Sequence, residues 1–344
     1  MAHPESTKAL ILREGGYAAE PGPAVPERLE PYLEHAEVAL PALRPGQVLI
    51  EVIMAPVNPS DMFFVQGSYG QPRVQGQAAG FEGVGRVLAS GGGDLAEALV
   101  GQRVAFLGTV TGSWAAHAVS DAALCIPLRD DLRDEDGAAL IVNPLTAVAL
   151  LERVRDSGSK AFLLNAAGSQ LGRLMLGLAR DQGLTALAVI RRERDAQALR
   201  ALGAAEVLVS SAEDFAAQAG AAIRAHKPRM LLDAVGDQVT ADLFFAMGPG
   251  ARWVVYGKMS DEAPRLDQMG QLIFMDKHVE GFWLSRWLPA AAPERRAALV
   301  QEVQARFASG AWETRVGTRL TLAEAIEGVL PALARSNGKV MLTP

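Results

Sequence analysis

The sequence predicts a two-domain α/β protein in which a doubly wound parallel sheet is joined to a smaller β-rich domain. Three observations carry this expectation. A chain of 344 residues is longer than one small hydrophobic core serves. Its first third consists of short apolar runs separated by Gly, Pro and Asp turns. From about residue 160 the rhythm changes to strand then helix, repeated, which is the pattern of βαβ units.

In chain order, the runs at 47–52, 83–88 and 103–106 predict strands of an irregular, barrel-like domain. Strands of the parallel sheet are expected at 161–164, 186–190, 206–209, 230–232, 252–256 and 278–282. Between them, 171–180, 195–202, 212–225 and 240–247 have helical composition and apolar spacing. The tail adds Ala- and Leu-rich helices at 293–309 and 322–334 and a closing strand at 338–342, and is expected to return to the first domain. No internal repeat points to a solenoid.

Composition narrows the function classes. Lys and Arg number 33 against 39 Asp and Glu, a net charge of −6, so the electrostatic attraction behind nucleic-acid or anionic-membrane binding has no evident source. A small-molecule substrate is the expected partner. The single cysteine, Cys125, forms no internal disulfide and builds no thiolate metal site alone, which fits a reducing compartment. His3, Glu5 and Lys8 surround only a short apolar run at 9–12, unlike a signal-peptide core. The apolar stretch 138–151 is interrupted by Asn143 and Pro144 and is shorter than the roughly 20 residues a membrane span needs. The expectation is a soluble cytoplasmic protein.

Chemistry first appears after the run 161–164, where Asn165-Ala166-Ala167-Gly168-Ser169-Gln170-Leu171-Gly172 opens directly into a helix. Small residues at such a junction let the backbone approach a pyrophosphate, with free N–H groups and the positive end of the helix dipole facing the anion. Arg173-Leu174 after Gly172 excludes a P-loop, which needs Lys-Ser/Thr there. A tight turn with no ligand is the competing reading of this motif alone. The end of the next strand adds to it. Where an acidic residue would hold the ribose 2′-hydroxyl of NAD, this chain has Arg191-Arg192, which suit a 2′-phosphate through bidentate guanidinium contacts. NADPH is therefore the expected cofactor. A solvated basic helix start, balanced by Glu193 and Asp195, is the alternative.

Several further segments carry a resemblance. Val57-Asn58-Pro59-Ser60-Asp61, Gln66-Gly67-Ser68-Tyr69-Gly70, Gly80-Phe81-Glu82-Gly83-Val84-Gly85 and Asn143-Pro144-Leu145-Thr146-Ala147 resemble the zinc-free branch of the medium-chain dehydrogenase/reductase superfamily. Within it, Tyr256-Gly257-Lys258-Met259 and Gly281-Phe282-Trp283-Leu284-Ser285-Arg286-Trp287 are similar to the mitochondrial-type trans-2-enoyl thioester reductases, while the zeta-crystallin-like quinone reductases share the first group. The resemblance implies a GroES-like substrate domain over 1–125 and 286–344, and a Rossmann NADPH-binding domain over 126–285. It also implies a homodimer, the run 278–282 forming the sheet edge.

Carried over residue by residue, the resemblance assigns Tyr69 as the proton donor. Asn143 and Thr146 fall near the nicotinamide, Gly168, Ser169, Gln170 and Leu171 at the pyrophosphate, and Arg191, Arg192 and Glu193 around the 2′-phosphate. Tyr256, Gly257, Lys258 and Met259 with Phe282, Trp283 and Leu284 line the nicotinamide, and Lys339 lies close by. Gln170 departs from the family, which commonly has Gly there. In the zinc alcohol dehydrogenases of this superfamily a cysteine stands at the position of Asn58 and a histidine at that of Phe81, so no metal is expected.

What such a protein does by hydride transfer is reduce an electron-poor carbon whose conjugated carbonyl, or quinone ring, accepts the charge itself. An enoyl thioester takes hydride at Cβ, passes through an enolate and needs one proton at Cα. A phenol of pKa near 10 is protonated at neutral pH and suits that task, although Tyr69 in its Gly-flanked turn also reads as a packing residue. Phe63, Phe64, Trp283 and Trp287 read equally as walls of an acyl slot or as core. A dinucleotide-binding protein without catalysis is the remaining alternative.

Overall fold

The computed structural model describes residues 3–335 and 338–344. The chain forms two compact units, 1–142 with 300–344, and 143–299.

In chain order the first unit contains β1 (Ser6–Leu12), β2 (Leu33–Ala39), β3 (Gln47–Val57), α1 (Pro59–Val65), β4 (Glu82–Ser90), α2 (Asp94–Leu99), β5 (Arg103–Leu107), β6 (His117–Asp121), β7 (Cys125–Pro127) and α3 (Asp134–Ala138). Next come α4 (Val142–Asp156), β8 (Ala161–Leu164), α5 (Gln170–Asp181), β9 (Thr185–Ile190), α6 (Ala196–Leu202), β10 (Ala204–Val209), α7 (Phe215–His226) and β11 (Met230–Asp233). They continue with α8 (Gln238–Ala246), β12 (Arg252–Val255), α9 (Gly270–Phe274), β13 (His278–Gly281), α10 (Leu284–Ala290), α11 (Pro293–Ala308), β14 (Val316–Thr321), α12 (Leu322–Arg335) and β15 (Lys339–Thr343).

The first unit holds two sheets. β1 and β2 pair antiparallel, and a seven-stranded sheet runs β14-β15-β3-β4-β5-β7 with β6 beside β3. The tail does return: β15 pairs antiparallel with β3, and α12 buries Leu322, Ala325, Val329 and Ala332 in the same core as Leu10, Met62 and Trp114. A second core gathers Val48, Ile50, Val104, Phe106 and Cys125. Burial pushes the Cys125 thiol up to about 12, with Asp121 adding to the shift against a hydrogen bond from Ser120.

The second unit is the expected parallel sheet, in the order β10-β9-β8-β11-β12-β13, with every pairing parallel. β8 and β11 at its centre are buried at every residue, as strands covered on both faces must be. Leu163, Leu187 and Leu231 pack on one face with Ile223 of α7 and Phe244 of α8. The connection from β9 to α6 adds a short 3₁₀ turn at Glu193–Asp195. β13 is an edge strand.

Besides β1, β6, β7 and the short helices α2, α3, α9 and α10, four further elements lie outside the sequence expectation. β2 and β14 alternate half-buried and exposed positions and hold charged residues on the open side, so no apolar run marks them. α1 is only seven residues long. α4 runs through Asn143 and Pro144, because proline in a first helical turn removes an N–H that has no intrahelical partner. Among the described residues no helix is long and apolar enough to cross a membrane.

Candidate functional site

The chain leaves β8, turns within five residues and enters α5. Ser169 caps this helix, its Oγ accepting from the Gly172 N–H at 3.1 Å. A helix start of this kind, with its positive dipole end at the turn, is a favourable place for an anion, although the Ser169 amide already donates to the Ala166 carbonyl at 2.9 Å and the Arg173 amide to the Ser169 carbonyl at 3.0 Å. A Cβ on Gly172 would lie 2.5 Å from the Ala167 carbonyl oxygen, so only glycine lets helix and turn approach this closely. At Gly168 the nearest neighbour of such an atom, Asp195 Oδ2, is 3.7 Å away, and the turn is open there.

Behind the turn stands a buried polar network. Asp233, at the end of β11, accepts through Oδ1 from Asn165 Nδ2 at 2.5 Å, Val235 N at 2.7 Å and Gly236 N at 2.9 Å, and through Oδ2 from Trp253 Nε1 at 2.8 Å. Asn165 returns a bond, its Oδ1 accepting from Ala234 N at 2.8 Å, and its Nδ2 also donates to Thr240 Oγ1. This ties the carboxyl-terminal ends of β8, β11 and β12 together. The Tyr256 and Gly257 amides both donate to the Asp233 carbonyl, which carries the segment 256–259 onto the same sheet end. The Tyr256 hydroxyl is buried without a hydrogen-bond partner, and burial, then the Asp233 charge, drives its pKa upward. Sequence reasoning quoted Asn165 only within the turn and missed Asp233. An acidic residue ending an apolar strand was the available signal.

Arg191 and Arg192 follow β9, the strand beside β8, and both are exposed with no ion-pair partner among the described residues. Glu193 is exposed next to them. Thr146 is buried and Asn143 half-buried on the first turn of α4. Phe282 donates its amide to the Val255 carbonyl at 2.8 Å and is buried under the Arg153 guanidinium, 5.6 Å from the ring centre. Trp283 and Leu284 are half-buried, and Lys258 and Met259 are exposed. The sheet therefore gathers the turn at 168–171 and the segment 256–257 at one end, with Arg191 and Arg192 one strand away.

Tyr69 belongs to the other unit. It sits half-buried in the loop after α1, its ring 5.0 Å from Phe81, which in turn lies 4.9 Å from Phe64. Phe64 is part of the core, whereas Phe63 is half-buried.

Residues 44–130 match the family described as "Alcohol dehydrogenase GroES-like domain", and residues 171–304 the family described as "Zinc-binding dehydrogenase". The mitochondrial enoyl-[acyl-carrier-protein] reductase of Bos taurus is 30% identical over 306 residues, covering 87% of this chain and 78% of the relative. The chain belongs to the medium-chain dehydrogenase/reductase superfamily. Among solved structures, a Mesorhizobium loti protein assigned as an NADPH:quinone reductase is 46% identical over the full length of both chains, with a TM-score of 0.96. A 2-enoyl thioester reductase heterodimer from Candida tropicalis shares the fold at 20% identity, covering 98% of this chain and 100% of that one, with a TM-score of 0.80.

Asn58 and Asp61 lie in a second buried polar cluster, in the barrel unit. Among the described residues no three His, Cys, Asp or Glu side chains form a metal-holding group. Instead Lys339, buried at the start of β15, donates from Nζ to Asn58 Oδ1, while Asn58 Nδ2 donates to Glu82 Oε1 at 2.9 Å. Glu82 Oε2 accepts from the Ile141 and Val142 amides, and Asp61 accepts from the Asn58 and Phe81 amides. One buried cation thus serves two buried carboxylates. Burial raises both carboxyls, Asp61 to about 7 with Glu82 adding to its shift, and lowers the Lys339 ammonium against the pull of Glu82 and Asp61.

A carboxyl whose pKa is raised by folding stabilises the fold fully below its unfolded value of about 4, and that contribution is lost as pH rises through about 7. Removing the ammonium deepens the loss. Lys339→Met is expected to lower unfolding free energy by about 3–5 kcal/mol near pH 8, with a deficit that shrinks toward pH 5 as protons replace the missing charge. Denaturant titrations across that range check this; a deficit independent of pH would mean that Lys339 acts only by filling space.

Proposed function

We propose that this chain is an NADPH-dependent reductase of activated C=C bonds, acting on trans-2-enoyl thioesters of CoA or acyl-carrier protein. The observation that carries the cofactor half is the exposed, unpaired Arg191–Arg192 at the end of β9, one strand from the capped turn at Ser169. In this reading the amides around Gly168, Ser169, Gln170 and Leu171 hold the pyrophosphate, and the two guanidiniums take the 2′-phosphate beside Glu193. Asn143, Thr146, Tyr256, Gly257, Lys258, Met259, Phe282, Trp283 and Leu284 surround the nicotinamide. The space beside Gly168 and the orphaned Tyr256 hydroxyl fit such a ligand. When bound, NADPH supplies the hydride.

The barrel unit is the substrate domain and the parallel-sheet unit the cofactor domain. Tyr69 hydrogen-bonds the developing oxyanion and delivers the proton to Cα, while Phe81 holds its ring from behind. The bovine relative's name supports the thioester class. The 46% identical Mesorhizobium loti protein supports a second reading, reduction of quinones on the same scaffold. A reducing, cytoplasmic setting suits a chain with one cysteine.

The working form is a homodimer. β13 presents an unpaired edge, and next to it Ile273 and Phe274 are 75% and 85% exposed, an apolar surface that a second copy would cover.

Arg191→Ala is expected to weaken NADPH binding by about 1.5–3 kcal/mol and to leave NADH binding unchanged, read by fluorescence titration; an unaltered preference between the two cofactors would remove Arg191 from the 2′-phosphate site. Tyr69→Phe is expected to lower kcat for crotonyl-CoA by about 10²–10⁴. Wild-type turnover of a naphthoquinone, with none of crotonyl-CoA, would establish the second reading. Phe274→Glu is expected to shift the chain to monomer in sedimentation, and a wild-type profile would place the interface elsewhere.

A further inference from the structure

The loop that carries Tyr69 is built around a buried guanidinium that no sequence motif singled out. Arg73 is 5% exposed. Its Nη1 donates to the Val65 carbonyl at 3.1 Å, immediately before the loop begins. Its Nε donates to the Gly16 carbonyl at 3.1 Å, and Nη2 stands 3.3 Å from Glu14 Oε2. The Arg73 backbone exchanges both bonds with Gly16, at 3.2 and 2.9 Å. One planar fork therefore joins the start of the loop, its end and the segment that crosses it.

Other contacts converge on the same loop. Gly67 has φ +74°, and a Cβ there would lie 2.8 Å from the guanidinium carbon and 2.7 Å from the Ala18 nitrogen, so the loop lies flat on Arg73 only because position 67 is glycine. Ala18 N donates to the Gly67 carbonyl, Gly22 N to Ser68 Oγ, and Gln66 Nε2 to the Pro23 carbonyl, each at 3.0 Å. Residues 14–23 thus strap the loop, and two side chains bond both to the strap and to the α1 end that precedes Tyr69: Gln66, whose Nε2 also donates to the Met62 carbonyl at 2.9 Å, and Arg73, which alone of the two reaches the strap from beyond the loop's far end. Among the described residues the guanidinium's partners inside the fold are neutral carbonyls, and the carboxylate that pairs with it, Glu14, is largely exposed. A buried charge held this way costs desolvation that a neutral side chain would not, while its planar donors serve several acceptors at fixed geometry.

We propose that Arg73 is the positioning residue of Tyr69, fixing the loop so that the phenol meets the carbon to be protonated. The proposal rests on the reading of Tyr69 as the acid. It also has a part that does not, the order of residues 66–72.

The test compares Arg73→Ala and Arg73→Lys with wild type and Tyr69→Phe. Crotonyl-CoA kinetics, NADPH titration, thermal melting and hydrogen exchange of the 66–72 peptide are read on each. Arg73→Ala is expected to lower kcat by about 10²-fold, the effect of roughly ångström misplacement, with KM and NADPH affinity unchanged. Exchange in 66–72 rises, and guanidinium ion at tens of millimolar restores part of both signals where ammonium does not. Arg73→Lys keeps the cation but not the fork, and is expected to melt near wild type with the same kcat loss. Either variant retaining full kcat, or losing it while 66–72 stays as protected as in wild type, overturns the proposal. So does an Arg73→Lys whose activity falls only in step with melting and NADPH affinity. If Tyr69→Phe is fully active, the acid reading fails, and the exchange data alone then decide whether Arg73 orders the loop.

Discussion

The parallel-sheet unit depends on one fully buried carboxylate. Asp233 ends the central strand β11 with its charge out of water, a state that is tolerable only because two backbone amides, an indole N–H and the Asn165 amide all point at it. Meeting that requirement draws the ends of β8, β11 and β12 to a common level. The turn above β8 and the path 256–259 then have little freedom left, and the start of α5 lies where neighbouring strands bring further donors. In a parallel sheet the ligand side is the carboxyl end of the strands, and here a buried acid ties that end together.

The barrel unit meets a related problem with the opposite balance. Asp61 and Glu82 bring two carboxyl groups into the interior beside the single amine of Lys339, and Asn58 is donor to Glu82 and acceptor from Lys339. The amide transmits position as well as charge. Asp61 fixes the Phe81 amide, and the Phe81 ring backs Tyr69. The side chains of Lys339, Asn58, Asp61 and Phe81, joined through the Asn58 and Phe81 backbone amides, thus form one contiguous set of contacts from the last strand of the chain to a loop some 270 residues earlier.

How much of this was legible in the sequence follows from what periodicity and local motifs register. The central parallel strands were readable because burial on both faces makes them unbroken apolar runs; β8 and β11 have no exposed position at all. β14 and β2 were not, since each shows the core only every second residue and fills the rest with Arg, Thr, Glu and His. Pro144 read as an interruption where it is a permitted first-turn residue. The turn at 165–172 and the arginines at 191 and 192 were visible because their signal is local. Asp233, Arg73 and the Lys339–Asn58 bond were not, because their partners lie 68, 57 and 281 residues away and only folding brings them together.

Cys125 gains a meaning from the substrates under consideration. Enoyl thioesters and quinones are both electrophiles that add to thiolates, so a protein that handles them risks alkylating itself. The one sulfhydryl of this chain is enclosed by Val48, Ile50, Val104 and Phe106 and keeps its proton up to about pH 12. The catalyst offers its own reactants no exposed thiolate.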